Sequence, residues 1–251
     1  MERAHRAPVG TFYAPGDWRS GARVELDASA AHHASVKRIA SGDIVRLTNG
    51  AGRRAEGRVD ELSKKTCVVA LLDVPVEQVP EPRSIEIWAP VSDRDRMLLL
   101  AEKCVELGLS AWRPIIYARS RSVSPRGEGE TFREKLRLRQ VSALEQSGGA
   151  WLPASHAETP LEAALSLPIA DAHDARILLD VAGERIGVAA GAITGGVTVA
   201  VGPEGGLEKH ERDAFIEHGW RLASLGDNVL RFETAGIAAL AVLRSLPRSN
   251  Q

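Results

Sequence analysis

The stretch "VAVGPEGGLEKHE", residues 199–211, decides the reading of this chain. An apolar run, Val199-Ala200-Val201, breaks into Gly202-Pro203-Glu204-Gly205-Gly206 and reopens through Glu208, Lys209 and Glu211 into a helix-like continuation. Glycines between a strand and a helix let main-chain groups approach a ligand without side-chain obstruction, and Pro203 fixes the turn. A helix amino terminus ordinarily attracts phosphate. Here Glu204, Glu208 and Glu211 crowd that end. A neutral adenosine or a cationic group fits better than a phosphate, and S-adenosyl-methionine, with its sulfonium, offers both. The same residues also read as a structural strand-to-helix turn with a capping glutamate. The stretch by itself leaves both readings open.

Competing motifs fail around it. The pattern GxxxxGK[ST] is not met, because position 207 is Leu and no hydroxyl follows Lys209. Gly50-Ala51-Gly52-Arg53-Arg54-Ala55 fits a loose GxGxxA, but it runs from one strand-like segment into another, so a hairpin turn is expected there. There is no GxSxG elbow and no HExxH, and the seven histidines show no metal-ligand spacing. Kinase, serine hydrolase and zinc enzyme are not supported.

A second constellation, "SLGDNVLRFETAGIAALAVL", occupies residues 224–243. Leu225-Gly226 ends a strand, Asp227-Asn228 turns, and Val229-Leu230-Arg231 leads into an apolar, small-residue helix that begins near Glu233. That helix suits packing beneath a sheet or against another subunit. Arg231 and Glu233 also read as a local ion pair at a capped helix start.

Net charge is −1, so the chain as a whole does not advertise a polyanionic partner. Locally the balance shifts: between Arg113 and Arg139 eight Lys/Arg stand against three Glu. A solvated helix face explains part of this excess, and a phosphate-facing surface explains the RSRS run better, because arginine forks suit phosphate oxygens. No apolar run approaches the roughly 20 residues that span a bilayer. MERAHRAPVG lacks a signal-peptide core, and Cys67 and Cys104 form no CxxC pair; a cytoplasmic protein with no membrane partner is expected.

Residues 1–75 alternate as short strands around one helix (ASAAHHASVKRIA), which predicts a small β-barrel. The three-proline segment PVEQVPEPR suggests a linker over 76–83. From 84 to 251 strands and amphipathic helices alternate, which predicts an α/β domain with a parallel sheet and helices on both faces. Ligands bind such sheets at the carboxyl ends of the strands, where both glycine loops fall.

Taken together, GPEGG and LGxxVLRxETA closely resemble the SPOUT methyltransferases, specifically the RsmE-type family that methylates N3 of a uridine in small-subunit ribosomal RNA. Further segments match in order. His32-His33-Ala34-Ser35-Val36-Lys37-Arg38 with Gly42-Asp43 is similar to the family's H-x-x-x-V-L-R…G-D in its PUA-like barrel. "SDRDRMLLLAEKCVELG" (92–108) resembles its basic helix ending in ELG, and Glu145-Gln146-Ser147 resembles its EQS. Two departures stand out: Gly148-Gly149-Ala150 where the family usually carries an arginine, and Lys37 for the common leucine.

The resemblance implies a carboxyl-terminal trefoil knot, a homodimer with active sites near its interface, and S-adenosyl-methionine bent within the knot loops. Residue by residue, it assigns the cofactor to Leu179, Asp180, Gly202, Glu204, Gly205, Gly206, Leu225, Gly226, Val229, Leu230 and Arg231. It implies ribosomal RNA or the small ribosomal subunit as partner. RNA contacts are expected at Arg38, Arg119, Arg121 and Arg126. Uridine N3 carries a proton, so negative charge must be stabilised, for which Arg231 is the candidate, and a base is needed, for which Glu204 and Glu233 are candidates. A transfer-RNA ribose methyltransferase of the same superfamily and a non-catalytic RNA-binding or assembly protein are the alternatives.

Overall fold

The computed structural model describes residues 7–63, 65–74, 76–122, 126–167, 173–190, 193 and 195–246, without the side chains of 121, 122, 173 and 174. The chain divides into two compact units. One takes the chain up to Glu81 together with Val141–Leu152, and the other takes Pro82–Gln140 and Pro153 onward.

The first unit carries strands β1 (Thr11–Tyr13), β2 (Arg23–Leu26), β3 (Ile44–Thr48), β4 (Arg53–Leu62), β5 (Cys67–Leu71) and β6 (Glu77–Gln78), with helix α1 (Ala28–Val36) between β2 and β3. They form one sheet in the order β1-β3-β4-β5-β2, with β6 added to β4. Alternation dictates its inner face: Val45 and Leu47 of β3, Ala55 and Val59 of β4, and Cys67, Val69 and Leu71 of β5 are all buried in one cluster. Asp27 caps α1 by accepting the amide of Ala30 at 2.8 Å. The helix buries only Ala30, Ala31 and Ala34, small side chains that let it lie close to its neighbours. This is the small N-terminal β domain that the strand rhythm predicted. The GxGxxA segment is the expected hairpin, joining β3 to β4.

The division differs from the boundaries read in the sequence, 1–75, 76–83 and 84–251. Residues 77–81 stay with the first unit because β6 pairs with β4, Arg53 opposite Gln78. Residues 141–152 return to it through long-range contacts. Glu145 accepts the amide of Tyr13 at 2.8 Å and faces His33 Nδ1 at 3.0 Å. Trp151 lies against Gly52 and donates to the carbonyl of Val79 at 3.2 Å. Local pattern carries no trace of partners more than a hundred residues away.

The second unit holds β7 (Ile85–Pro90), α2 (Arg94–Glu106), β8 (Ala111–Ile116), the larger part of α3 (Glu130–Ser147), β9 (Ala154–Ser155), β10 (Thr159–Pro160), α4 (Leu161–Leu165), β11 (His173–Arg185), α5 (Ile186–Ala189), β12 (Gly196–Ala200), α6 (Lys209–Glu217), β13 (Arg221–Ser224) and α7 (Phe232–Ser245). Its sheet runs β10-β8-β7-β12-β11-β13, with β9 on β8. Every ladder between these strands is parallel.

A period of two sorts the side chains of these strands onto two faces. Ile85, Ile87 and Ala89 of β7, Ile177 of β11, and Val197 and Val199 of β12 join one core with Met97, Leu100, Ala101 and Cys104 of α2 and Ala235, Ala239, Leu240 and Leu243 of α7. Trp88, Leu178 and Ala200, one register position away on the same strands, join the other core with Leu161 and Leu165 of α4 and Phe215 of α6. A strand buried on both faces is largely apolar on both, which is why Val199-Ala200-Val201 reads as an unbroken run rather than an alternation. Full burial of each of these large side chains is worth about 1.5–3 kcal/mol. Gly236 lets α7 approach α2, since a Cβ there would lie 2.7 Å from Leu100 Cδ1. No helix among the described residues is long and apolar enough to cross a membrane.

Candidate functional site

Three loops leave neighbouring strands of the parallel sheet and enclose a cavity of about 300 Å³. The first loop owes its place to an irregularity in β11. Leu179 pairs with Ala223, and the next pair along is Glu184 with the same Ala223, so residues 180–183 bulge out of the ladder. Gly183 makes this possible, because a Cβ there would sit 2.4 Å from the amide nitrogen of Ala223. The bulge delivers Asp180 and Val181 to the cavity beside Leu179. The loop after β12 contributes Val201, Gly202, Pro203, Glu204, Gly206 and Leu207, and the loop after β13 contributes Leu225, Gly226, Asn228, Val229 and Leu230. Ala223 of β13, Phe232 and Ala235 of α7 and Arg212 of α6 complete the lining.

Gly206 has φ 71° and Gly226 φ 154°, backbone that L side chains rarely adopt. After Gly206 the chain enters α6 through a reciprocal cap: Glu208 accepts from the amide of Glu211, and Glu211 Oε2 accepts the Glu208 amide at 2.8 Å. The capping reading of Glu208 and Glu211 therefore holds, and it coexists with the cavity that the preceding loop lines.

The cavity's carboxylates are both engaged. Glu204 accepts the hydroxyl hydrogen of buried Ser92 and lies 3.4 Å from Arg96 Nη1. Asp180 Oδ2 accepts Arg212 Nε at 2.8 Å, and its Oδ1 accepts the amide of Ala182 at 2.8 Å. Burial alone would raise the Asp180 carboxyl; the Arg212 hydrogen bond, the Ala182 amide and the Arg212 charge outweigh it and hold the group below the ordinary carboxylate value. Apart from Arg212 and Asn228, the remaining lining is apolar or main chain. A cavity at the small end of the ligand-pocket range, about 300–1,000 Å³, with apolar walls and a few fixed polar groups is built for a small molecule. Apolar walls suit a flat aromatic ring, bare glycine main chain suits ring edges and hydroxyls, and the two carboxylates in the lining tolerate a cation. These residues fit an adenosine joined to a positive centre.

Nine of the eleven residues expected at the cofactor, Leu179, Asp180, Gly202, Glu204, Gly206, Leu225, Gly226, Val229 and Leu230, line this one cavity. Two of the expected cofactor residues do not line the cavity. Gly205 offers its carbonyl to Arg119 instead. Arg231 is exposed at the N-cap of α7 and makes no side-chain capping bond. Glu233 is 6 % exposed in the first turn of α7, and its Oε2 has no hydrogen-bond partner. Of the four arginines expected at RNA, Arg38 is exposed with φ 56°, a left-handed conformation unusual for a residue other than glycine. Arg119 binds Glu208 and Gly205, and Arg126 donates to Glu128 at 2.8 Å. Arg121 belongs to the 3-10 turn Ala118–Ser122, with its side chain outside the described residues.

Arg212, which the sequence reading did not single out, fixes Asp180 and lines the cavity. It lies one helical turn beyond Glu208, a weak linear signal. Val181, Leu207 and Asn228 line the cavity as well and were marked only by their adjacency to the motifs.

Two families match the chain. The RNA methyltransferase domain covers residues 79–244, and the RNA methyltransferase PUA domain covers 26–72. Ribosomal RNA small subunit methyltransferase E of Mycobacterium bovis is 29 % identical over 239 residues, covering 89 % of this chain and 87 % of that one. The protein of the same name from Rickettsia conorii is 24 % identical, covering 88 % and 90 %. Among solved structures, ribosomal RNA small subunit methyltransferase E from Neisseria gonorrhoeae bound to S-adenosyl methionine superposes with TM-score 0.82 at 27 % identity, covering 94 % of this chain and 97 % of that one. A methyltransferase from Legionella pneumophila in complex with its cofactor SAM gives 0.83 at 25 % identity, covering 96 % and 98 %. With two thirds of its length inside the methyltransferase domain and a PUA domain ahead of it, the chain belongs to the RsmE-type family of SPOUT RNA methyltransferases.

Proposed function

We propose that this protein transfers a methyl group from S-adenosyl-methionine to N3 of a uridine in small-subunit ribosomal RNA. The observation that carries the reading is the cavity at the exits of β11, β12 and β13, lined by both family motifs. The sulfonium donor supplies a good leaving group: the new N3–CH3 bond forms as the S–CH3 bond breaks, releasing a neutral thioether. The protein's own work is alignment and removal of the N3 proton. Arg231, exposed at the start of α7 beside the lining residue Leu230, stabilises negative charge on the uracil oxygens. Glu233 is the better candidate for the base, because Glu204 is already held by Ser92 and Arg96 whereas Glu233 Oε2 is unpartnered.

A carboxyl-terminal knot and a homodimer belong to the same proposal. The passage of the chain from β12 through α6 to β13, on the far side of β11, supports the knot. Val181 and Val229 line the cavity yet are 59 % and 86 % exposed, apolar surface that a second copy would cover. N3 is hidden in a base pair, so the target uridine is unpaired or extruded.

The test is incubation of small subunits and their naked RNA with methyl-labelled donor, then mass analysis of the nucleosides. 3-Methyluridine is the expected product. Label on a ribose would select the alternative specificity, and donor binding without transfer would select a non-catalytic RNA-binding role.

A further inference from the structure

Arg119 stands in the basic segment that the sequence assigns to RNA, yet its guanidinium is turned onto the loop that lines the cavity. Its Nε donates to Glu208 Oε1 at 2.7 Å, and its Nη1 donates to the carbonyl of Gly205. Beside it the amide of Ala118 donates to Glu211 Oε1 at 2.7 Å, while Glu211 Oε2 takes the amide of Glu208. Glu211 is 3 % exposed, so the bond from Ala118 is sheltered from water. The aliphatic stem of Arg119 also rests on the loop: a Cβ at Gly205 would come within 3.1 Å of its Cδ and 3.2 Å of its Cβ. Gly205 therefore makes room for the arginine, which explains why this one glycine of the motif does not line the cavity.

We propose that Arg119 is a positioning residue for the methyl donor. It holds the 202–208 loop from its outer side, so that Gly202, Glu204 and Gly206 keep the arrangement that lines the cavity. The proposal rests on the reading of that cavity as the donor site. A loop with three glycines in five residues has much backbone freedom, and a ligand that must order it binds more weakly. A guanidinium that spans a carboxylate and a carbonyl three residues apart removes that freedom before the ligand arrives. Lysine keeps the charge but, with one ammonium, does not reproduce the planar fork. The Arg119 side chain is 47 % exposed, so its bonds contribute little to global stability and their effect falls on the loop.

The experiment is calorimetric titration of S-adenosyl-methionine into the wild type, R119A and R119K, with donor KM and RNA KM measured in parallel. Both variants are expected to bind the donor about tenfold more weakly, to raise donor KM alongside, and to move RNA KM by less than about twofold, with unchanged melting temperature. Donor affinity within about twofold of wild type in R119A, with RNA KM raised instead, overturns the inference and makes Arg119 an RNA contact. If R119A unfolds, R119K alone decides, since it preserves charge and bulk. A wild type that binds no donor would fail the reading of the cavity itself, and the inference with it.

Discussion

Two glycine-rich turns, one in each unit, look alike in sequence and do opposite work. At Gly50-Ala51-Gly52 the protein's own side chains fill the space that the missing Cβ atoms leave. A Cβ on Gly52 would lie 2.3 Å from Trp151 Cζ2, and one on Gly50 2.8 Å from Leu152 Cδ1. At Gly202-Pro203-Glu204-Gly205-Gly206, a Cβ on Gly202 would meet Leu207 at an ordinary 3.4 Å, and Gly202 and Gly206 face a cavity. The first turn is a socket for packing and the second is a wall for a ligand. Glycine content does not separate the two uses. What lies against the glycine does, and at Gly52 that neighbour arrives from a segment about a hundred residues downstream.

Substitutions can break this contrast, the largest effect being expected at Arg231, next to the cavity-lining Leu230. Arg231→Ala should lower turnover by about 100-fold or more, as loss of a group that stabilises developing charge does, while denaturant unfolding stays as in wild type. Near-normal turnover would remove Arg231 from the chemistry. Gly52→Ala should do the reverse. With φ 88° and Trp151 in the way, it should destabilise the protein by about 2–4 kcal/mol in urea unfolding. A loss below about 0.5 kcal/mol would mean the indole moves aside freely, and the socket description would fail.

Gly202→Ala sharpens the comparison from the other side. Its backbone is not in the left-handed region and its new Cβ meets only an ordinary contact, so melting temperature should not change. Donor affinity should drop by about tenfold, because the methyl group enters space needed for close main-chain approach. Equal loss of stability in both glycine variants would erase the distinction between the turns.

The smallest effect expected is at Asp180. Its carboxyl is held below the ordinary value in the folded chain, so the stabilisation it provides is present above the unfolded value, about pH 4, and is lost as pH falls through the lower folded one. Asp180→Asn should therefore flatten the acid limb of a melting-temperature profile taken from neutral pH downward. Parallel profiles for the two proteins would show that the Arg212 pair has no net effect.

Much of the second unit was legible because its signals are local. An apolar run ending in glycine, followed by a charged helix start, defines β12, its loop and α6 within residues 196–217. The LGxxVLR stretch marks the β13 loop in the same way. The first unit's sheet was legible from alternation. What the sequence hid was long-range pairing. Nothing near Glu145 announces that it accepts the amide of Tyr13, and so the return of 141–152 to the first unit could not be read. Arg119 sits among arginines and serines and looks like a phosphate contact, yet its acceptors lie 86 and 89 residues on. Arg212 reaches Asp180 across 32 residues, with no motif to mark it.

The most direct measurement is a crystal structure of this chain soaked with S-adenosyl-methionine. Adenosine and sulfonium should lie among residues 179–181, 202–207 and 225–230, with Gly202 and Gly206 in main-chain contact. Donor density elsewhere, or those three loops closed over by their own side chains, would contradict the assignment on which the function rests.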